Sequence, residues 1–421
     1  MSCWFPRSHR SLVIDYRTRA LWVLIFLVGA GTSARADEYY VQPRADVGVE
    51  VDSNRDMVSS GPKTTAEGYS AEAGATIGIA TPVSDTTLRP QVNYYDYPIL
   101  SENVLDSRLD FASSFDLPRT HFGIYGVFDH QALFGSELAS ATFNLVNPNL
   151  PTTPETGRIS VSGTRTLLTV NPKYEFEWTE RLGLQISGVY QDLGYSGASS
   201  AGYISYVYYD VTADLDWKLS PRSDISLGLD GSKESAKDIE SVSDGHGITL
   251  TFNHQWSTIF SGSLSLVAEQ YDIYGVTPAG AVIPISSRVN SSGVGAQYTS
   301  TWTGQISQFQ VTVGRTFTPN GAGGTFASDQ FQVEYKRNLS PRTYLDVAAH
   351  YIQNVAISSL YDEGNYNYVI AAADLKWMLT RTWYVAGGLQ YVELKFPVPG
   401  TAANNSMAHV RFGYEGLGRQ Y

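Results

Sequence analysis

Six histidines beyond residue 36 are the first candidates for chemistry: His121, His130, His246, His254, His350 and His409. Only His246 and His254 share a segment, and eight residues of extended chain separate them by about 27 Å, too far for one metal ion. A histidine base activates a serine only when both lie on one face. In Phe252-Asn253-His254-Gln255-Trp256-Ser257 the position two residues after His254 holds Trp256 instead. Carboxylates are better placed. Asp210, Asp214 and Asp216 recur at even spacing, Glu175 and Glu177 lie two apart, and Asp346 stands in a separate segment. Paired carboxylates can act as acid and base on glycosidic bonds. At period two on an extended chain they also share one face, where a hydrated acidic wall is the simpler expectation. Gly48, Gly74, Gly78 and Gly188 lack phosphate-loop spacing and are expected to ease sheet curvature. Cys3 is the only thiol, so disulfides and cysteine metal sites are excluded, and no catalytic residue, metal site or cofactor is expected.

Behind these residues stands a chain of 421 residues, 43% hydrophobic and 13% aromatic, with 28 Tyr and 38 Gly. Such a chain can bury enough apolar surface to fold. Residues 1–36 read as a cleaved secretory signal peptide. Arg7, Arg10, Arg17 and Arg19 lead, Ala20–Gly31 is an apolar stretch of 12 residues, and Ala34-Arg35-Ala36 offers a small-x-small cleavage site. This single apolar run is too short to span a bilayer as a helix, which excludes a helical membrane protein. Without the leader, 24 basic and 40 acidic side chains remain, a net charge of −16. That balance argues against nucleic acid as a partner, because its phosphates would be repelled.

Residues 37–421 alternate. Val207, Tyr209, Val211, Ala213, Leu215, Trp217 and Leu219 form one oily face, with Tyr208, Asp210, Thr212, Asp214, Asp216 and Lys218 between them. The same period recurs in Val369/Ala371/Ala373/Leu375/Trp377/Leu379, in Ala408/Val410/Phe412/Tyr414 and in six other runs, many of ten residues or more. Soluble strands are mostly about five or six residues long, whereas bilayer-spanning strands need about 9–11. A β-propeller would pack four short strands into each 35–47-residue turn interval, where two long ones stand here. Eight short turns alternate with nine long polar stretches, among them Ser53–Glu67, His130–Gly163, Gly231–Gly245 and Thr316–Ala327. The pattern predicts an all-β, closed antiparallel transmembrane barrel of 16–18 strands with both ends on the short-turn side. Trp178, Trp217, Trp256, Trp302, Trp377 and Trp383 each lie within a few residues of a short turn, the pattern of an interfacial aromatic girdle.

In such a barrel Glu175, Glu177, Asp210, Asp214, Asp216 and Asp346 become a candidate acidic lumen wall, and the histidines become polar lumen or loop residues. The expected function is passive passage of small hydrophilic solutes, or of a polymer strand, with mild cation preference. His130–Gly163, with Pro148, Pro151 and Pro154, is the candidate for an infolded constriction loop. For the last strand, two readings stay open: closure at Tyr414 with a short tail, which is preferred, or a bulge that shifts the phase before Tyr421.

The turns LSPRS (Leu219–Ser223) and LSPRT (Leu339–Thr343), the looser LPRT (Leu117–Thr120) and MLTRT (Met378–Thr382), and the start YYVQPRADVGVEVDSN (Tyr39–Asn54) resemble outer-membrane β-barrel families of Gram-negative bacteria, in particular the type-two β-barrel porin family. The likeness covers nearly all of residues 37–421. It implies an outer-membrane location, with membrane lipid, lipopolysaccharide and the barrel assembly machinery as partners, and small solutes or polysaccharide as cargo. Some relatives accompany exopolysaccharide systems, which implies an accessory role in polymer export, or a structural role without an open pore, as the alternative. The segment around His254 is also similar to the outer-membrane phospholipase motif, but lacks its serine and the following Asn-Gly, so a barrel-embedded hydrolase is the least favoured reading.

Overall fold

The computed structural model describes residues 38–55, 57–100, 102–133, 163–197, 203–239, 241–276, 282–284, 288–320, 324–358, 366–395, 402–417 and 419–420. The expected signal peptide, Tyr421 and most of the expected constriction loop lie outside the described residues.

Alternation becomes strand at every run read from the sequence. The elements are β1 (Glu38–Asp52), β2 (Ala66–Thr81), β3 (Ser84–Tyr97), β4 (Glu102–Leu117), β5 (Thr120–Ala132), β6 (Thr164–Glu177), β7 (Leu182–Ser196), β8 (Tyr206–Ser220), β9 (Ser223–Ala236) and β10 (Val242–Ser257). They continue with β11 (Phe260–Val276), β12 (Val282–Ile283), β13 (Val289–Thr303), β14 (Ser307–Asn320), β15 (Gly324–Ser340), β16 (Thr343–Ala356), β17 (Tyr366–Met378), β18 (Trp383–Lys395), β19 (Ala402–Glu415) and β20 (Arg419–Gln420). Setting aside the two-residue β12 and β20, eighteen antiparallel strands form one sheet, the upper limit of the expected range. Pairing of β1 with β19, from Arg44↔Glu415 to Asp52↔Met407, closes it into a barrel and leaves no free edge at the chain ends.

The oily faces point outward. On β1, Val47, Val49 and Val51 are about half exposed while Asp46, Glu50 and Asp52 are buried, and β8 repeats the pattern with Val211 and Trp217 outside. All eight short connections fall where the sequence places them. The long connections are shorter than expected: Gly231–Gly245 and Thr316–Ala327, read as loops, are largely strand, because β9, β10, β14 and β15 run on past the apolar band. Strands of 13 to 17 residues exceed the length a bilayer requires, so their Gly- and Ser-rich ends pair in water on both faces.

The C-terminal end corrects the preferred reading. β1 pairs with β19 at Arg44↔Glu415 but with β20 at Tyr40↔Gln420, a shift of one residue. The extra residue is a bulge near Gly416, whose N–H donates to the Pro43 carbonyl at 2.7 Å. The outward phase therefore passes from even to odd residues after Glu415.

A second irregularity lies in the wall. β13 pairs with β11 along its whole length, from Phe260↔Trp302 to Ile273↔Val289, but with β14 only from Thr303↔Gln308 to Gln297↔Gly314. Above Gly314, β14 stays with β15 as far as Asn320↔Gly324 and leaves the wall.

Candidate functional site

The lumen is lined by every second residue of each strand. On β8 the inward set is Tyr208, Asp210, Thr212, Asp214 and Asp216, and β9 and β11 add Asp224, Asp230 and Glu269 in the same phase. Glu175 and Glu177 point inward from β6. At the short-turn end, Glu175, Glu177, Gln185, Asp214, Asp216 and Lys218 help line a recess of about 490 Å³. There Gln185 Nε2 donates to Asp214 at 3.3 Å, the Ser226 hydroxyl donates to Asp216, and Lys218 Nζ pairs with Glu177 at 2.8 Å. Asp210 lies on the same face farther up β8. Asp346 does not join them: it faces Lys336 in the β15–β16 register on another part of the wall.

The carboxylates are one side of the lining. Sequence reasoning passed over the cations of the other, although they obey the same period. Arg44 pairs with Glu72 at 2.9 Å, Arg108 with Asp110 at 2.9 Å and Arg165 with Asp129 at 3.4 Å, all from inward positions of β1 to β6. The lumen thus has a wall of mixed charge over β1 to β6, where each of these arginines is paired with a carboxylate, and an acidic wall over β8 to β11. Attending to basic as well as acidic residues in the wet phase would have found it.

Along its axis the lumen changes character. Towards the long-loop end the inward positions are buried, with apolar clusters set among charged residues such as Asp52, Asp129, Arg165 and Glu234. Met57, Ile352, Tyr368, Ile370, Val392, Leu394 and Ala403 form one cluster, Leu167, Leu193 and Tyr206 a second, and Ile273 with Phe326 a third. Leu167, Leu193, Tyr206, Phe326, Ile370 and Leu394 have 0% exposure, so this part of the bore is filled. Two inward segments contribute to the filling. After β1, Asn54 Nδ2 donates to the Asn404 carbonyl at 2.8 Å, and the Arg55 guanidinium sits 3.5 Å over the Tyr97 ring and pairs with Glu102 at 3.1 Å. From the far wall, Thr325 Oγ1 of β15 donates to Glu234 Oε2 of β9 at 3.2 Å, across the interior. These are strand-end residues, whereas the expected constriction, His130–Gly163, has residues 134–162 outside the described set.

The six tryptophans lie at the short-turn end. Trp178, Trp217, Trp256, Trp377 and Trp383 are exposed and Trp302 is half-buried. Trp256 stacks on Phe260 at 4.7 Å and Trp383 on Phe412 at 5.1 Å. The histidines divide, correcting the expectation of lumen or loop positions for all. His121, His350 and His409 face inward, but His130, His246 and His254 share the outward phase of β5 and β10. His254 lies between Phe252 and Trp256, and its Nδ1 is 2.8 Å from Ser223 Oγ of β9. The serine missing from its own strand thus comes from the neighbour. Among the described residues no group of three or more His, Cys, Asp or Glu could hold a metal ion.

A closed wall that is oily outside and charged inside defines a membrane-spanning β-barrel, since a water-soluble fold does not expose apolar residues around its whole girth. No protein-family model matches the chain and no curated protein matches its sequence. Among solved structures it is similar to OccK2 (OpdF) of Pseudomonas aeruginosa in complex with glucuronate, at 11% identity over 90% of this chain and 98% of that one, with a TM-score of 0.44. It is also similar to OccK5 (OpdH) of the same organism, at 10% identity over 90% and 99% of the two chains, with a TM-score of 0.45. The FrpB iron transporter of Neisseria meningitidis aligns at 8% identity over 90% and 82%, also at 0.45. Likeness this distant carries no functional inference, and the chemistry of the lumen rests on its own residues.

Proposed function

We propose that the chain is a porin-like channel of the Gram-negative outer membrane that passes small hydrophilic solutes passively, and that it is not an enzyme. The observation that carries this reading is the lumen itself, a closed bore with a wall of mixed charge facing an acidic one. Such a lining replaces the hydration of a small polar solute while the apolar exterior is solvated by lipid. The filled long-loop end, which becomes the extracellular end, supports small cargo over a polymer strand, because a polysaccharide needs a continuous wide path. In this reading Trp178, Trp217, Trp256, Trp302, Trp377 and Trp383 form the periplasmic girdle, and lipopolysaccharide covers the outer half of the wall. Folding into the membrane depends on the barrel assembly machinery.

Solute size is read by liposome swelling. Sugars of monosaccharide size are expected to enter and those several times larger to be excluded; no swelling with any solute would leave a closed scaffold. Mild cation preference follows from Asp210, Asp214 and Asp216, whose wall carries fewer compensating bases than the opposite one. Replacing all three by Asn is expected to lower the cation-to-anion permeability ratio roughly twofold in reversal-potential measurements.

A further inference from the structure

The gap between β13 and β14 has two sides. Val289–Ala296 of β13 pair with β11, but among the described residues no strand pairs with them on the other side. Val294, at 74% exposure, and Ala296 face outward at the upper part of the apolar band, and Asn290 and Ser292 continue the outward phase above them. Unpaired backbone in hydrocarbon costs several kcal/mol per group, so barrels normally close.

The segment that should fill the gap is present but lies inside. Phe309, Val311, Val313 and Phe317 of β14 share one phase, and the first three face outward, so continued alternation would put Phe317 on the lipid side. Instead its ring lies against the inner face of β13. A Cβ on Gly293 would collide with that ring, and one on Gly295 would sit 2.5 Å from the Arg315 carbonyl oxygen. Phe317 also contacts Tyr271 of β11 at 6.2 Å, while Phe326 of β15 packs with Ile273, and Thr325 holds Glu234. Two glycines on alternate inward positions of β13 make the passage possible, since any larger residue would bar it. The register set by Gln297↔Gly314, continued upward, would bring Phe317 beside Val294 and Arg315 beside Ala296.

We propose that the upper hairpin, Arg315–Asn320 of β14 with Gly324–Ser328 of β15, moving together with the end of β16 to which β15 is paired from Phe326↔Ala356 to Ser328↔Asn354, is the gate of this channel. Inward, it fills the bore and leaves β13 unpaired. Outward, it takes its place in the wall, pairs with Val289–Ala296, returns Phe317 to the lipid face and removes its share of the filling from the lumen. The two states exchange apolar packing inside the bore for backbone hydrogen bonds in the wall, so neither is dominated by a single large term. The proposal rests on the channel reading above, and its test separates the two.

Disulfides trap each state in the full chain carrying Cys3→Ser. Glu234→Cys with Thr325→Cys links the inward hairpin to the far wall. Val294→Cys with Phe317→Cys links residues that meet only when the hairpin is outward. Both pairs are expected to form under mild oxidation. In planar bilayers the first is expected to reduce conductance at least fivefold, reversibly on reduction, and the second to raise it at least threefold. Failure of the outward pair to form while the inward pair forms completely would overturn the gate. Because Phe317→Cys itself removes inward packing, Phe317→Ser without a second cysteine is the companion measurement. It is expected to raise conductance, and unchanged conductance would count against the gate. If both disulfides form and no variant conducts, the hairpin moves but the channel reading fails, and the gate fails with it.

Discussion

The barrel has two seams worth setting side by side. At the closing seam, β1 and β19 come from opposite ends of the chain, yet they pair over nine residues, and the Ser53 N–H continues the ladder by donating to the Ser406 carbonyl at 3.0 Å. At the inner seam, β13 and β14 are joined by a short turn, yet their pairing stops after seven residues. Proximity in sequence should favour the second, since closing a short loop costs little entropy. The open seam is therefore set by what the strands carry: glycines on one and an inward-packed aromatic on the other.

Glycine substitution tests this contrast most strongly. At the closing seam a Cβ on Gly48 would lie 2.9 Å from the Val410 carbonyl oxygen and 2.8 Å from Arg411 Cγ, with Ser70 Oγ at 2.9 Å. Both flanking strands are held by continuous ladders, so nothing can yield. Gly48→Val is expected to destabilise the barrel by about 3 kcal/mol, the upper range for overpacking, read as a lower urea midpoint after refolding into liposomes. Gly295→Val meets the Arg315 carbonyl oxygen at 2.5 Å and Val267 Cγ1 of β11 at 2.7 Å, but the backbone obstacle can leave by moving into the wall, and the methyl group can turn aside about its side-chain bond. A loss below about 1 kcal/mol with raised conductance is expected. Equal losses at the two sites would erase the distinction between the seams.

Amide exchange gives the next largest effect. Residues of β13 between Val289 and Ala296 whose N–H points away from β11 have no strand partner among the described residues, whereas Val47–Asp52 of β1 are paired on both sides. The unpaired amides are expected to exchange roughly a hundredfold faster in detergent, because their opening requires no ladder to break. Locking the outward state with the Val294–Phe317 disulfide should slow them to the rate of the closing seam. Persistence of fast exchange in that state would mean that the locked hairpin does not pair with β13.

The sequence already displays most of the wall. Period two named the strands, the LSPRS and LSPRT turns marked two of the eight tight connections, and the six tryptophans fell at one end, because each of these depends only on neighbours along the chain. What it concealed depends on residues far apart. Gly321-Ala322-Gly323-Gly324 read as the middle of a loop, since glycine-rich tetrads usually end strands, but β14 and β15 pair almost up to it. The departure of β14 was concealed more deeply, because its alternation is unbroken and only the contact of Phe317 with Gly293 and Gly295 reveals it. The charge of the lumen was half legible: Asp210, Asp214 and Asp216 advertise themselves as a cluster, whereas Arg44, Arg108 and Arg165 are single residues on separate strands and come to share a wall only when the barrel closes.

The smallest predicted effect bears on what fills the open seam. Arg315 and Asp329 face each other across the root of the hairpin, with Nε to Oδ1 and Nη2 to Oδ2 both at 2.6 Å. They lie in the outward phase six residues above Phe309, which pairs with Trp302 of the aromatic end. Beside Asp329 the outward row is polar, Gln353 and then Asn367, while Phe331 one step below is apolar, so the ion pair stands at the upper edge of the apolar band, and the gap beside it is one route for water from the lumen. If the gap is wet, Asp329→Asn leaves a hydrated guanidinium, and the loss should be about 0.5–1 kcal/mol and shrink with added salt, as for exposed pairs. If hydrocarbon fills the gap, the same substitution strands a charge in a medium of low dielectric, and the loss should approach about 3–5 kcal/mol with no salt dependence. The small, salt-sensitive result would make the open seam a continuation of the lumen through the wall; the large one would make it a defect sealed by lipid, through which the hairpin would have to drag its charges to move.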